Sequence, residues 1–399
     1  MLCSLPVDTF YGWQGNNSRV DITGMTQVYG IAFKRSENKI LYKDNDKSGI
    51  GGVGRVIVKA QTGETLSLEA NAYQTYIPME LAAGQSTGGV TIPDVERSSA
   101  LEWSASDDKY IHTAVDRLNL RWSRDRLDII LGRQPINMAT TFYFSPNDFF
   151  APFAAQTFYR VYKPGVDAAR VEVRLGNLSQ LSLISVLGYS PDGKSETGWG
   201  GRPDGSRTSY IGRVSRNLSD FELAVIAGSL AEADVIGGSL QGEVFKWLGV
   251  RAEGHMAWPE SRGEKSHAEL AMGIEHHWEN SLDVRLEYFY HGNGARSASG
   301  YMSLMSTGKD YRLYLGRSYS ALGIGYEFTP LLTGQMALIG NLMDNSLLSS
   351  FNAVYSLSNE SELSFGAAAP FGRKPEGAEI KSEFGMYPCT FSIEWRWYF

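Results

Sequence analysis

Residues 391–399 read Phe391-Ser392-Ile393-Glu394-Trp395-Arg396-Trp397-Tyr398-Phe399. Apolar Phe391, Ile393, Trp395, Trp397 and Phe399 alternate with Ser392, Glu394, Arg396 and Tyr398. A period of two is that of a strand, with the two sets on opposite faces. In a soluble sandwich the bare tryptophans on one face would be out of place. In a membrane barrel they are expected: apolar side chains face lipid, polar ones face a wet lumen, and aromatic rings sit at the interface.

The same alternation recurs upstream. Leu282, Val284, Leu286, Tyr288 and Tyr290 interleave with Asp283, Arg285, Glu287 and Phe289. Leu248, Val250, Ala252 and Met256 interleave with Gly249, Arg251, Glu253 and His255. Ala169, Val171 and Val173 interleave with Arg170, Glu172 and Arg174, and Leu118, Leu120 and Trp122 with Asn119 and Arg121. Val56, Val58 and Ala60 interleave with Arg55, Ile57 and Lys59, and Leu66, Leu68 and Ala70 with Ser67, Glu69 and Asn71. A charge at every second position is too costly for a sealed core but tolerable beside water.

Strands are expected near 18–33, 51–61, 64–76, 111–124, 126–134, 165–175, 179–189, 208–217, 219–229, 233–245, 247–258, 266–278, 281–291, 313–328, 331–341, 345–356, 360–369 and 387–399. That is about eighteen, in a range of roughly 16–20, since strand boundaries read from sequence shift by a few residues. Connections after even-numbered strands are tight, as at Gln61-Thr62-Gly63, Gly176-Asn177-Leu178, Asn217-Leu218-Ser219, Glu279-Asn280 and Asn359-Glu360. Those after odd-numbered strands include every long one: 34–50, 77–110, 135–164, 190–207, 292–312 and 370–386. Short periplasmic turns opposite long extracellular loops produce this parity. The expected fold is therefore all-β: a transmembrane antiparallel β-barrel of the outer-membrane type. A single barrel would span 18–399, after an N-terminal segment 1–17. The apolar start Met1-Leu2-Cys3-Ser4-Leu5-Pro6 reads either as the remnant of a secretory signal or as a short disordered start.

Composition agrees. The 399 residues include 21 Tyr, 18 Phe and 9 Trp, too many aromatic rings for a disordered chain. Glycine is abundant at 43 residues, and no apolar run approaches the roughly 18 residues of a spanning helix. Two cysteines, Cys3 and Cys389, and six scattered histidines offer no metal or haem spacing, so no metal and no cofactor is expected. A net charge of −7 and the lack of a basic run argue against nucleic acid as a partner. No nucleophile elbow, zinc-hydrolase helix, phosphate loop or dinucleotide fingerprint is present, and the expectation is that the chain is not an enzyme.

The candidate pore-lining residues are Arg55, Lys59, Glu69, Arg121, Asp128, Arg170, Glu172, Arg174, Arg251, Glu253, Asp283, Arg285, Glu287, Glu394 and Arg396. They could select and orient solutes, or they could form cross-strand ion pairs that stiffen the wall. Segment 135–164 differs from the other loops. It holds nine aromatic residues and few charges, too apolar to stand in water. Three readings are open: a constriction or plug folded into the lumen, a surface for a partner, or local packing. The constriction would be carried by Phe142, Tyr143, Phe144, Asp148, Phe149, Phe150, Phe153 and Arg160. Loop 77–110, with Asp94, Glu96, Glu102, Asp107 and Asp108, reads as a solvated acidic surface rather than a calcium site.

Three blocks carry a resemblance: Leu131-Gly132-Arg133-Gln134-Pro135-Ile136, Ser145-Pro146-Asn147-Asp148-Phe149-Phe150-Ala151-Pro152-Phe153, and Tyr162-Lys163-Pro164-Gly165-Val166-Asp167-Ala168. They resemble the G-R-Q, P-x-D-x-F-x-P and K-P-G-x-D blocks of porin-like outer-membrane proteins of metal- and sulfur-reducing (Geobacter-type) bacteria. That group includes barrels thought to sheathe multihaem cytochromes in porin–cytochrome conduits. The ending Trp395, Trp397 and Phe399 likewise resembles the assembly signal of bacterial outer-membrane barrels. The resemblance implies the outer membrane of a Gram-negative bacterium, with its lipid and the barrel assembly machinery as partners. Two functions follow. One is a porin-like channel for passive transport of small polar solutes through a water-filled lumen. The alternative is a scaffold around a multihaem cytochrome, an outer-membrane electron conduit. Sequence leaves the solute and the oligomeric state open.

Overall fold

The computed structural model describes residues 11–35, 37, 38, 41, 46–78, 95–105, 109–193, 195, 198–260, 264–306 and 314–399. The start Met1–Pro6 and the acidic residues Asp94, Asp107 and Asp108 lie outside the described residues. One antiparallel sheet contains every strand among the described residues. It comprises β1 (Tyr11–Gln14), β2 (Ser18–Lys34), β3 (Asp46–Thr62), β4 (Leu66–Pro78), β5 (Glu102–Ala105), β6 (Lys109–Arg124), β7 (Leu127–Gln134), β8 (Val166–Arg174), β9 (Ser179–Pro191) and β10 (Trp199–Leu218). It continues through β11 (Phe221–Ser229), β12 (Ala233–Val244), β13 (Leu248–Pro259), β14 (His267–His277), β15 (Leu282–His291), β16 (Ser318–Thr329), β17 (Leu332–Asn341), β18 (Ser346–Ser358), β19 (Ser361–Phe371) and β20 (Cys389–Tyr398).

Two strands are short additions: β1 pairs with the foot of β2, and β5 with the top of β6. The other eighteen form the wall. Each pairs with its neighbour, and β20 pairs with β2 from Met25↔Tyr398 to Lys34↔Cys389, which closes the ring. The fold is an 18-strand closed antiparallel barrel with the expected turn parity. Tight turns share one end with Ser18 and Phe399, while the long connections lie at the other.

Alternation sets the two faces. Phe391, Ile393, Trp395 and Trp397 are 39–67% exposed on the outside, whereas Thr390, Glu394 and Arg396 on the inner face are buried. Leu286 on the outside is exposed and its neighbour Glu287 is buried. Lipid would remove the exposed apolar belt from water.

Three boundaries differ from the sequence expectation by five residues or more. The second wall strand begins at Asp46 rather than 51, because its pairing with β2 continues to Lys34↔Asp46. The eighth wall strand begins at Trp199 rather than 208, because β10 keeps pairing with β9 through two irregularities between Trp199 and Ser209. Gly201, Pro203 and Gly205 read as a loop, yet Pro203 and Asp204 pair with Tyr189 and Gly188, and the ladder resumes at Ser209. The fourteenth begins at Ser318 rather than 313. Just before it, Gly316 forms an isolated bridge with Ala295.

At the loop end, connections 292–317, 342–345 and 372–388 share a buried polar knot. Glu383 accepts from the Tyr319 hydroxyl, from Asn341 Nδ2 at 2.6 Å and from the Leu315 N–H at 3.2 Å. Its own N–H donates to Asp344 at 2.7 Å, and Tyr301 donates to the same carboxylate at 2.8 Å.

Candidate functional site

Segment 135–165 joins β7 to β8, and its two ends are fastened to each other. Arg133 donates to both carboxylate oxygens of Asp167, at 2.8 and 3.0 Å, and to the carbonyls of Val115 and Ser98 at 2.9 and 2.8 Å. Asp167 accepts further from the Ser98 N–H and the Tyr189 hydroxyl. Gln134 Nε2 donates to the Ala168 carbonyl at 3.1 Å. Two glycines make room for this. Gly132 has φ +112°, and a Cβ there would lie 2.2 Å from the Leu118 carbonyl oxygen. A Cβ on Gly165 would lie equally close to the Asp116 carbonyl oxygen. Only glycine fits such positions. The G-R-Q and K-P-G-x-D blocks are thus the two halves of one fastening.

The body of the segment lies against inward-facing side chains on several parts of the wall. Glu253 on β13 accepts from the backbone N–H groups of Thr140, Thr141 and Asn147. Glu287 on β15 accepts from those of Phe142, Tyr143 and Phe144 at 2.5, 2.7 and 3.2 Å. Arg251 donates to the Thr140 carbonyl at 3.0 Å. The Phe142 ring lies under the Arg285 guanidinium at 4.0 Å, and the Arg160 guanidinium, 5.1 Å from the same ring, donates to the Phe142 carbonyl. Phe144 stacks on Phe289 of the wall with centroids 5.0 Å apart. Tyr143 fits against Gly323, where any Cβ would collide with its hydroxyl, and burial pushes its pKa up to about 12. Phe149 meets His255 edge-on, and Phe149 and Phe150 pack beside Ile184 and Ile211. Asp148 pairs with Lys163, whose ammonium lies 5.7 Å from the Phe153 ring.

Further along, Tyr159 lies 4.2 Å under Arg396 of β20, and Tyr162 lies 4.3 Å under Arg55 of β3. The segment therefore meets β13 and β15 at one end, and β3 and β20, several strands around the ring, at the other. Cation–π contacts of this kind gain strength where water is excluded.

The charges singled out on the wall fall mostly into pairs. Arg170 pairs with Glu172, and Arg121 with Asp128 at 3.2 Å. Glu69 pairs with Arg117 at 3.1 Å. Glu275 joins Arg251 at 2.7 Å to Arg285 at 3.2 Å, and Arg285 also holds Asp283 at 3.0 Å. Arg396 bridges Glu362 at 2.5 Å and Glu394 at 2.8 Å. Arg174 donates to the Asp125 carbonyl at the turn end. Lys59 is exposed and makes no ion pair among the described residues. Trp395 and Trp397 lie on the outer face. The Phe399 ring sits 5.1 Å from Trp397 and over Gly24, whose backbone exchanges hydrogen bonds with that of Phe399.

Several site residues escape a strict period-two reading. Register slips between Asn71 and Ala72, so that Asp116 is an extra residue on β6 and turns inward beside Arg117. Asp116 receives Arg55 at 2.9 Å and Arg97 at 2.9 Å, and Arg97 also holds Glu102 at 2.6 Å. Glu96 pairs with Arg207 at 3.0 Å and accepts from the Tyr189 N–H. Glu96 and Glu102 are thus ion-paired at the rim, against the expectation of a solvated acidic loop. The one available signal was the adjacent pair Asp116-Arg117, where the alternation breaks.

No protein-family model matches the chain, and no curated protein matches it. Solved structures do. The chain is similar to OccAB4 of Acinetobacter baumannii, with a TM-score of 0.60 and 9% identity over 97% of this chain and 99% of that one. It is similar to OccK9 (OpdG) of Pseudomonas aeruginosa, with a TM-score of 0.60 and 12% identity over 96% and 98%. OccK8 (OprE) of the same organism gives 0.59 and 9% over 95% and 98%. At these identities the likeness is one of fold: the chain has the barrel of outer-membrane porins.

Proposed function

We propose that this protein is a porin-like channel of a Gram-negative outer membrane, passing small polar solutes passively, with segment 135–165 as its constriction. The observation that carries this reading is the bridging of that segment between Glu253 and Glu287 on one part of the wall and Arg55 and Arg396 on another. A barrel of about eighteen strands leaves an aqueous interior unless something fills it. The accessible charges of Arg121, Arg170, Arg251, Asp283 and Arg285 then border the path, while the exposed outer belt meets lipid. Trp395, Trp397 and Phe399 form the element that the assembly machinery reads. Kinship with the porin-like proteins of metal- and sulfur-reducing bacteria rests on three blocks that here close and anchor the segment. No observation favours the cytochrome sheath, whose guest would need the space the segment takes.

Deleting Thr141–Ala155 tests the reading in planar bilayers. Shortening a loop changes its closure entropy only slightly, about 0.6 kcal/mol per halving, so the barrel should still form. Single-channel conductance should rise. Conductance equal to that of the intact chain would overturn the constriction.

A further inference from the structure

We infer that Glu253 and Glu287 are positioning residues that hold the constriction segment in place and do not face the solute. The inference rests on the constriction reading and separates these two from the other charges of the wall.

The argument begins with the backbone. Residues 140–147 belong to no helix or strand, so their N–H groups have no ladder partner. Buried N–H groups must find acceptors. Six of them find two side chains. Glu253 receives Thr140 and Thr141 on one oxygen and Asn147 on the other. Glu287 receives Phe142 on one oxygen and Tyr143 and Phe144 on the other. A carboxylate offers about four acceptor positions, so three are used in each case. Hydrogen bonds to an ionised acceptor are among the strongest a protein makes.

The wall beneath is shaped for this. Between the two glutamates β14 presents Ala271, opposite Glu253, and Gly273, opposite Glu287. A Cβ on Gly273 would stand 2.6 Å from the Glu287 Cγ. Small residues thus leave the recess in which the carboxylates meet the segment. Glu253 and Glu287 are 2% and 3% exposed, with little surface left for a passing solute. Neighbouring Arg251, Glu275, Asp283 and Arg285 keep 22–35% of their side-chain surface open. One wall thus carries charges of two kinds: those that hold the loop and those that border the path.

The test uses the full-length barrel in planar bilayers, with Glu253→Gln and Glu287→Gln singly and together. Glutamine keeps the size but accepts on one oxygen only and brings an N–H2 against backbone donors. A packing role would leave these variants like the parent, whereas a positioning role would not. Heat-modifiable migration confirms that the barrel has formed. The double variant should show at least half of the conductance increase produced by deleting Thr141–Ala155. Chymotrypsin should then cut the segment between Phe142 and Phe153, where the parent resists. Parental conductance together with parental resistance overturns the inference. If the deletion itself leaves conductance unchanged, the constriction reading fails, and proteolysis alone decides whether the two glutamates hold the segment. If the double variant does not insert, each single variant gives the same readouts at smaller size, and parental behaviour in both overturns the inference.

Discussion

Replacing Arg133 by methionine should destabilise the barrel by about 2–4 kcal/mol. Arg133 is 1% exposed and makes four hydrogen bonds, two to Asp167 and one each to the carbonyls of Val115 and Ser98. Removing one partner of a buried ion pair typically costs about 3–5 kcal/mol, because the other charge is left without compensation. Asp167 would not be wholly abandoned, since the Ser98 N–H at 2.9 Å and the Tyr189 hydroxyl at 3.0 Å still donate to it. That lowers the expected cost, while two carbonyls losing a donor raise it by about 1 kcal/mol each. The assay is urea unfolding of the barrel in lipid vesicles, followed by tryptophan fluorescence. The midpoint should fall with no change in slope. A second variant, Asp167→Leu, completes the cycle. With both changes the loss should be close to that of either alone, because the pair is removed as a unit; the coupling should then be the size of one single loss, about 2–4 kcal/mol. A loss below about 1 kcal/mol for Arg133→Met, or strictly additive losses, would refute the fastening of the two segment ends.

Leu286→Arg, on the lipid face, should cost about 2–4 kcal/mol near mid-membrane; Arg285→Ala, one residue along, should cost less and change ion selectivity, and the reverse order would place both residues on the wrong faces. Phe399→Ala and Trp397→Ala should lower the amount of barrel in the outer membrane, read by heat-modifiable migration, and unchanged levels would remove the assembly role. Burial pushes the Glu383 carboxyl up to about 7, against an ordinary 4.5, amid Asp344, Tyr301 and Tyr319. The folded chain therefore binds the extra proton between those values. Stability of the loop-end knot is fullest below pH 4.5 and declines as pH rises toward 7. The contribution is at most about 3 kcal/mol, and Glu383→Gln should flatten this part of the thermal-stability profile between pH 5 and 8.

The barrel was legible because a lipid-facing wall imposes period two on every strand. Phe391–Phe399 displays that period, and the turn parity repeats it at the scale of the whole chain. What escaped was local backbone geometry. Asp116 looks like a lipid-facing residue to anyone counting twos down from Leu118, and only the bulge turns it inward. Arg133, two residues from exposed Leu131, would be assigned to lipid; the covering Ser98 and the paired Asp167 come from distant sequence. The aromatic content of 135–164 marked the segment as unsuited to water, but not its anchors. Glu253 and Glu287 read as two more charges in a ladder, since nothing in their own strands announces six backbone donors arriving from more than a hundred residues away.

The seam between β2 and β20 sets the order in which the molecule can be completed. Residues 25–34 find their second neighbour only in residues 389–398. Until then β2 presents an unsatisfied row of backbone donors and acceptors, an invitation to pair with a foreign strand. Contacts across so great a sequence separation form late and slowly. Any species in which this seam is unpaired is an open sheet. Guarding that open edge during biogenesis is a problem of timing rather than of stability. The finished wall has nothing left to guard, because each of its strands is paired on both sides.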